Sequence, residues 1–296
     1  MKPKIKTISI ESPYYPLLLK EIPNPPLKIH ILGELAEEQK LKIAIVGTRK
    51  ATTEGRAIAK KIAQQLAEID IVVVSGLAMG IDAASHEGAL LGNGPTMAVL
   101  ACGLDTIYPR QNENLARKIL ARGGAIISEY PIGSASFPSQ FLERNRIISG
   151  LSAATVIIEA PERSGSLATA NWAAEQGREI FVVPGPINHP NYKGSHKLIR
   201  DGARLISSVE DILEDLGLEN SKFEILNSKQ IQNSKIQNIK DENQLLVIKI
   251  IQEAGQPLSI DRIIELTKLE PQVINQTMAI LVINGFIKET EKGYTI

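Results

Sequence analysis

The sequence predicts an α/β protein with a doubly wound, mostly parallel sheet, followed by a small C-terminal winged helix-turn-helix. From Lys42 to about Leu216, short β-branched runs alternate with segments of helical period, the pattern of a parallel sheet covered on both faces. Residues 217–243 then change character: the near-repeats Asn227-Ser228-Lys229-Gln230 and Asn233-Ser234-Lys235-Ile236-Gln237-Asn238 offer little to bury. Beyond them, three short helical stretches precede a hairpin-like terminus. The expected organisation is a main domain over 1–216, a flexible linker over 217–243 and a winged-helix domain over 244–296. A chain of 296 residues that is 43% apolar has material for one large core and a second, smaller one.

In order, the expected strands are Lys42–Val46, Ile71–Val74, Thr96–Ala101, Ala125–Ser128, Thr155–Glu159, Glu179–Val183 and Ala203–Ile206. Helices are expected between them over Glu54–Glu68, Ile81–Leu91, Glu113–Arg122, around Glu143–Gly150 and over Leu167–Gln176. In the last part, Gln244–Glu253, Ile260–Thr267 and Gln272–Asn284 read as three helices and Phe286–Ile296 as the wing. Ligands of doubly wound sheets sit beyond the carboxyl ends of the strands, so the loops that follow strands are where function is sought.

Thirty-three Lys and Arg balance 33 Asp and Glu, so no global field draws the chain to nucleic acid, and any such contact has to come from a local cluster. Cys102 is the one cysteine, which excludes an internal disulfide framework and a multi-cysteine metal site and fits a reducing cytoplasm. No apolar run is long enough for a signal peptide or membrane span.

The first strand runs into Gly47-Thr48-Arg49, which offers a phosphate a close backbone approach, a hydroxyl donor and a bidentate fork. A tight turn with a surface arginine explains the same residues. The second strand ends in Ser75-Gly76-Leu77-Ala78-Met79-Gly80-Ile81-Asp82, small residues that suit a second phosphate-facing loop. Asp82 and His86, four apart on the next helix, suit an acid-base pair or, more plainly, a histidine held by an acidic residue at a helix start. After the third strand, Tyr108 and Arg110 suit a base and a phosphate, or an ordinary packed loop. Arg144 and Arg146 lie two apart on one helix and point to nearly opposite sides, so at least one is available for a ligand or a structural ion pair. Ser164-Gly165-Ser166 opens a helix and places hydroxyls and free N–H groups at its positive end. Strand-end loops of this chemistry on one sheet edge say more together than any one of them does alone.

With these motifs placed, the chain resembles the DNA-processing protein A (DprA/Smf) family from about Tyr15 to Leu213. The resemblance rests on the order of Ile45-Val46-Gly47-Thr48-Arg49, Ser75 to Asp82, Tyr108-Pro109, Ser128-Glu129-Tyr130-Pro131, Arg144-Asn145-Arg146-Ile147-Ile148-Ser149-Gly150-Leu151, Ser164-Gly165-Ser166-Leu167 and Val183-Pro184-Gly185. It implies an extended Rossmann-like fold and a non-enzymatic, cytoplasmic protein that needs no cofactor or metal. Such a protein binds single-stranded DNA in natural transformation, helps load a RecA-type recombinase and forms a homodimer. Carried over by motif, the phosphate pocket is Gly47, Thr48, Arg49, Ser75, Gly76, Gly80, Arg110, Asn145, Arg146, Gly165 and Ser166. The chain departs from the family at Phe141-Leu142, where members commonly read Phe-Pro, so the local turn is expected to differ.

The competing enzyme reading is a nucleotide-processing hydrolase of the lysine-decarboxylase-like type, whose Gly-Gly-x-Gly-Thr-x-Glu-Glu loop supplies a carboxylate. Ala168 and Thr169 occupy those carboxylate positions here. A dinucleotide-dependent oxidoreductase needs Gly-x-Gly-x-x-Gly after the first strand, and Gly47-Thr48-Arg49-Lys50-Ala51-Thr52 does not provide it.

Overall fold

The computed structural model describes residues 5–218, 241–254, 257–283, 287–290 and 293–295, and the chain divides into two compact units, 1–219 and 220–296. The first unit is built on β1 (Lys6–Ser9), β2 (Lys28–Gly33), β3 (Lys42–Val46), β4 (Val72–Ser75), β5 (Thr96–Val99), β6 (Ala125–Ser128), β7 (Ala154–Ile157), β8 (Glu179–Val182) and β9 (Arg204–Leu205). Around them lie α1 (Leu17–Lys20), α2 (Thr53–Glu68), α3 (Ile81–Leu91), α4 (Glu113–Ala121), α5 (Pro138–Gly150), α6 (Gly165–Glu175), α7 (Lys193–Arg200) and α8 (Val209–Asp215).

The nine strands form one sheet in the order β1-β2-β6-β5-β4-β3-β7-β8-β9. From β6 to β9 every neighbouring pair is parallel, whereas β1 pairs with β2, and β2 with β6, in antiparallel register. Strands β3 to β7 are buried at every position, as a sheet covered on both faces requires. Lys42 opens β3 and is nevertheless buried; its Nζ donates to the carbonyls of Glu37, Glu38 and Lys40, which satisfy the charge. Strand order reverses between β3 and β7, so the loops after these two strands leave in opposite directions and open a crevice.

The alternating text before Lys42, not assigned to strands from the sequence, forms β1 and β2, an antiparallel extension laid on β6. Helix α5 starts at Pro138, earlier than expected at Glu143. Proline takes the first helical position, where its missing N–H is no loss, and the Gln140 side chain accepts the N–H of Phe137 at 2.6 Å. The turn therefore forms at Phe137-Pro138 rather than at Phe141-Leu142.

The second unit holds helices Glu242–Ala254, Ile260–Thr267 and Pro271–Ile283, with antiparallel strands Lys288–Thr290 and Gly293–Thr295. Val247, Ile251, Ile263, Ile274, Met278 and Leu281 make its core. Most of the expected linker, residues 219–240, lies outside the described residues, as do 284–285 and, in the expected wing, 286, 291, 292 and 296. Among the described residues no helix is long and apolar enough to cross a membrane.

Candidate functional site

A cleft of about 550 Å³ opens at the crevice between the β3 and β7 loops, and α5 forms its third wall. The α5 residues that line it are Pro138, Phe141, Leu142, Arg144, Asn145 and Ile148, of which all but Leu142 follow the spacing of one helix face. Arg144 is the floor. Its Nη1 donates to the carbonyls of Gly76, at 2.9 Å, and of Val99, and its Nε donates to Asn145 Oδ1 at 3.3 Å. Asp82 also lines the cleft, and its Oδ2 accepts the N–H groups of Gly76 at 3.1 Å and Ala78 at 3.4 Å. A Cβ on Gly76 would lie 2.6 Å from both Arg144 Nη2 and Asp82 Oδ2, so the glycine is what lets both side chains approach this turn. Burial draws Arg144 down to about 10 against the pull of Asp82, and burial raises the Asp82 carboxyl against the attraction of Arg144. Arg144 is held in the floor beside an acidic group, whereas the exposed cations of the cleft lie on its rim.

Two arginines supply that rim. Arg49, in the loop after β3, is exposed and lays its guanidinium 4.8 Å from the centre of the Phe141 ring. Tyr108 packs on the same ring at 5.4 Å. Arg163, in the loop after β7 just before α6, is exposed and lines the same cleft. Among the described residues neither arginine has an ion-pair partner. The first turn of α6 completes the wall: Ser164 accepts the N–H of Ser166 at 3.2 Å and its hydroxyl meets that of Ser166 at 2.6 Å. Asn145 Nδ2 donates to the carbonyl of Gly165 at 3.0 Å and ties α5 to this turn. A Cβ on Gly165 would meet nothing within 4 Å, so packing does not demand glycine there.

Of the residues expected from the sequence, Gly47, Thr48, Arg49, Asn145, Gly165 and Ser166 line this cleft, and Ser75, Gly76, Gly80, Arg110 and Arg146 do not. Ser75 is fully buried and donates to the carbonyl of Ile45 at 2.7 Å. Gly80, at φ +83°, supports the site from behind: a Cβ there would lie 2.4 Å from the carbonyl of Thr48. The β4 loop thus packs Gly80 against the Gly47–Arg49 loop and reaches the cleft itself only at Ala78. Arg110 is exposed at the start of a short 3-10 turn. Arg146 points away from the cleft and grips Glu129 bidentately, at 2.8 and 2.6 Å, while its Nε donates to the carbonyl of Asn24 at 3.0 Å. His86 bonds Thr96 at 2.8 Å, not Asp82, so the two make neither an acid-base pair nor a carboxylate-held histidine. Sequence reasoning passed over Arg144 as a cleft residue. Counting back from Asn145 along one helix face selects Phe141 and Ile148, and with them Arg144, and leaves Arg146 on the other side.

Residues 6–217 match the DNA recombination-mediator protein A family. The chain belongs to that family. It is 42% identical to Protein Smf of Escherichia coli over 215 residues, which are 73% of this chain and 58% of that protein. It is also 42% identical to DNA processing protein DprA of Bacillus subtilis over 220 residues, 74% of each chain. This chain spans little more than half the length of the Escherichia coli protein. Among solved structures, DprA of Streptococcus pneumoniae superposes with a TM-score of 0.67 at 39% identity, covering 71% of this chain and 74% of that one. DNA processing protein A of Helicobacter pylori superposes with a TM-score of 0.66 at 30% identity, covering 75% of this chain and 100% of the other. The Helicobacter pylori structure was described for that protein's single-stranded DNA binding mode. The family motifs of this chain meet at the switch point between β3 and β7 through Gly47 to Arg49, Arg144, Asn145 and Ser164 to Ser166.

Proposed function

We propose that this chain binds single-stranded DNA by its phosphates along the switch-point cleft and does no chemistry on it. In this reading it is a scaffold that protects incoming DNA in natural transformation and helps load a RecA-type recombinase, working as a homodimer in the cytoplasm. The observation that carries the proposal is the pair of ion-pair-free rim cations, Arg49 and Arg163, that line one cleft together with the N-terminal turn of α6. Phe141 and Tyr108 beside Arg49 offer a stacking face, which an unpaired base can use and a base inside a duplex cannot. The hydrolase alternative lacks its carboxylate: Thr169 and Ala168 stand where it needs glutamates, and Thr169 lines the cleft as a hydroxyl. A gel-shift titration with single-stranded and duplex DNA in one buffer tests the proposal. Tighter binding of the duplex would sink it.

Arg49→Ala is expected to weaken single-strand binding roughly tenfold, independently of base sequence, and to reduce the slope of log affinity against log salt by about one. An unchanged slope in a folded variant would remove Arg49 from the phosphate path.

The C-terminal unit is proposed to be a winged helix that contacts protein rather than DNA. From Gln272 to Gly285 the segment that would enter a major groove carries no Lys or Arg, and Ile274, Met278 and Leu281 are buried in the unit's own core. Residues 241–296 contain five Lys or Arg against eight Asp or Glu, which repels a phosphate backbone. Deleting residues 242–296 is expected to leave single-strand affinity within a few fold of the full chain. A loss on the order of a hundredfold, about 2.7 kcal/mol, would place the unit in the DNA site.

A further inference from the structure

Arg49 is exposed, and its guanidinium rests on a ring face, so its position depends on how firmly residues 47–52 are held. Glu159, just beyond β7, does most of that holding. Its backbone carbonyl accepts the N–H of Thr48 at 2.8 Å. Its carboxylate is fully buried and accepts four donors: Thr52 Oγ1 at 2.5 Å, the Thr52 N–H at 3.0 Å, Asn191 Nδ2 at 2.8 Å and Tyr192 Oη at 3.2 Å. Burial pushes this carboxyl up, but the hydrogen bonds from Thr52, Asn191 and Tyr192 outweigh it and hold Glu159 below the usual range, as an anion. Helix α2 makes room for it with Gly55, where a Cβ would lie 2.3 Å from Glu159 Oε1. Asn191 closes the arrangement, since the same Nδ2 that reaches Glu159 also donates to the carbonyl of Lys50 at 3.1 Å.

The loop carrying Arg49 is therefore pinned at Thr48, Lys50 and Thr52 by two residues that come from the far side of the switch point. Neither Glu159 nor Asn191 lines the cleft. We propose that Glu159 and Asn191 are positioning residues that set the Arg49 loop for its ligand, an inference that rests on the single-strand reading above. Their contribution is preorganisation: a loop already fixed in its binding geometry does not lose that freedom when the strand arrives. A second consequence is coupling. The turn Pro190–Tyr192 belongs to the β8 side of the sheet and α2 to the β3 side, so a disturbance of the turn travels to Arg49 through one carboxylate.

Asn191 is half-buried on a surface turn, so its substitution tests the idea without emptying the core, unlike substitution of Glu159. The full chain is compared with Asn191→Ala, Arg49→Ala and the double variant, with folding checked by circular dichroism. Two readouts are used: oligothymidine affinity across a salt series, and amide hydrogen exchange of the peptide covering residues 47–52 without DNA. Asn191→Ala is expected to speed exchange of that peptide about tenfold, to weaken oligothymidine binding roughly fivefold and to lower the salt slope. It is expected to add nothing to the loss already caused by Arg49→Ala, because both remove the same contact. Unaltered exchange, or losses that add in the double variant, overturns the proposal. If the unmodified chain does not bind oligothymidine, the single-strand reading falls, while the exchange comparison still decides whether Asn191 holds the loop.

Discussion

Arg146→Ala is expected to lower the unfolding free energy by about 3 kcal/mol, among the largest effects of any single truncation in this chain. The arginine and its partner Glu129 keep only 9% and 16% of their side-chain surface, and the pair is bidentate. Removing the guanidinium leaves the carboxylate of Glu129 in a nearly dry site with no counter-charge, and it also strips the carbonyl of Asn24 of its donor. Thermal or urea unfolding measures the loss. Per folded molecule, single-strand affinity is expected to stay within about twofold of the unmodified chain and the salt slope to be unchanged, because Arg146 does not reach the cleft. A variant that keeps its stability but loses a phosphate contact would contradict the placement of this side chain.

Stability is also expected to fall by about 2 kcal/mol between pH 7 and pH 5 through one residue, His86. Thr96 donates its hydroxyl hydrogen to the carbonyl of Val73 at 2.6 Å, so it accepts from His86 Nδ1 at 2.8 Å, which assigns the proton to Nδ1. Nε2 is then bare, buried and without a partner. Protonating it would place a charge in the core, and burial, helped by the positive charge of Arg144, lowers the His86 pKa to about 3. Because the folded value is depressed, the unfolded chain takes up the proton first. The stabilisation is fully present above pH 6.5 and is lost progressively as pH falls toward the folded value. In His86→Leu this part of the pH dependence is expected to disappear, whatever the variant's stability at pH 7. A slope between pH 7 and pH 5 that persists in His86→Leu would show that other groups carry it.

Helical and β-branched runs announce themselves where local text matches the final environment. Strands β3 to β7 are buried at every position and predominantly apolar because both faces are covered, and that pattern is visible without coordinates. The N-terminal strands β1 and β2 are half-exposed, their burial alternates weakly, and β2 joins the sheet by pairing with β6 more than ninety residues away, so local text did not assign them. The same division runs through the site. Gly47-Thr48-Arg49 and Ser164-Gly165-Ser166 sit at strand ends and helix starts, where local chemistry already suggests an anion, and both line the cleft. Ser75, Gly76 and Gly80 share that local chemistry, yet the small residues there let two buried side chains approach and a neighbouring loop pack.

By itself, then, the sequence determined that a doubly wound sheet would form, that the Gly47-Thr48-Arg49 and Ser164-Gly165-Ser166 loops would stand at its strand ends, and which family the motifs belong to. These depend on short-range pattern and residue type. Only the tertiary structure decided that Arg144 forms the floor while Arg146 grips Glu129, and that Glu159 and Asn191 hold the loop of Arg49 from across the switch point. A guanidinium makes an ion pair or meets a ligand according to what lies opposite its face of the helix. What lies near each, Glu129 for one arginine and Asp82 for the other, comes from a strand end and a helix start far away in the chain.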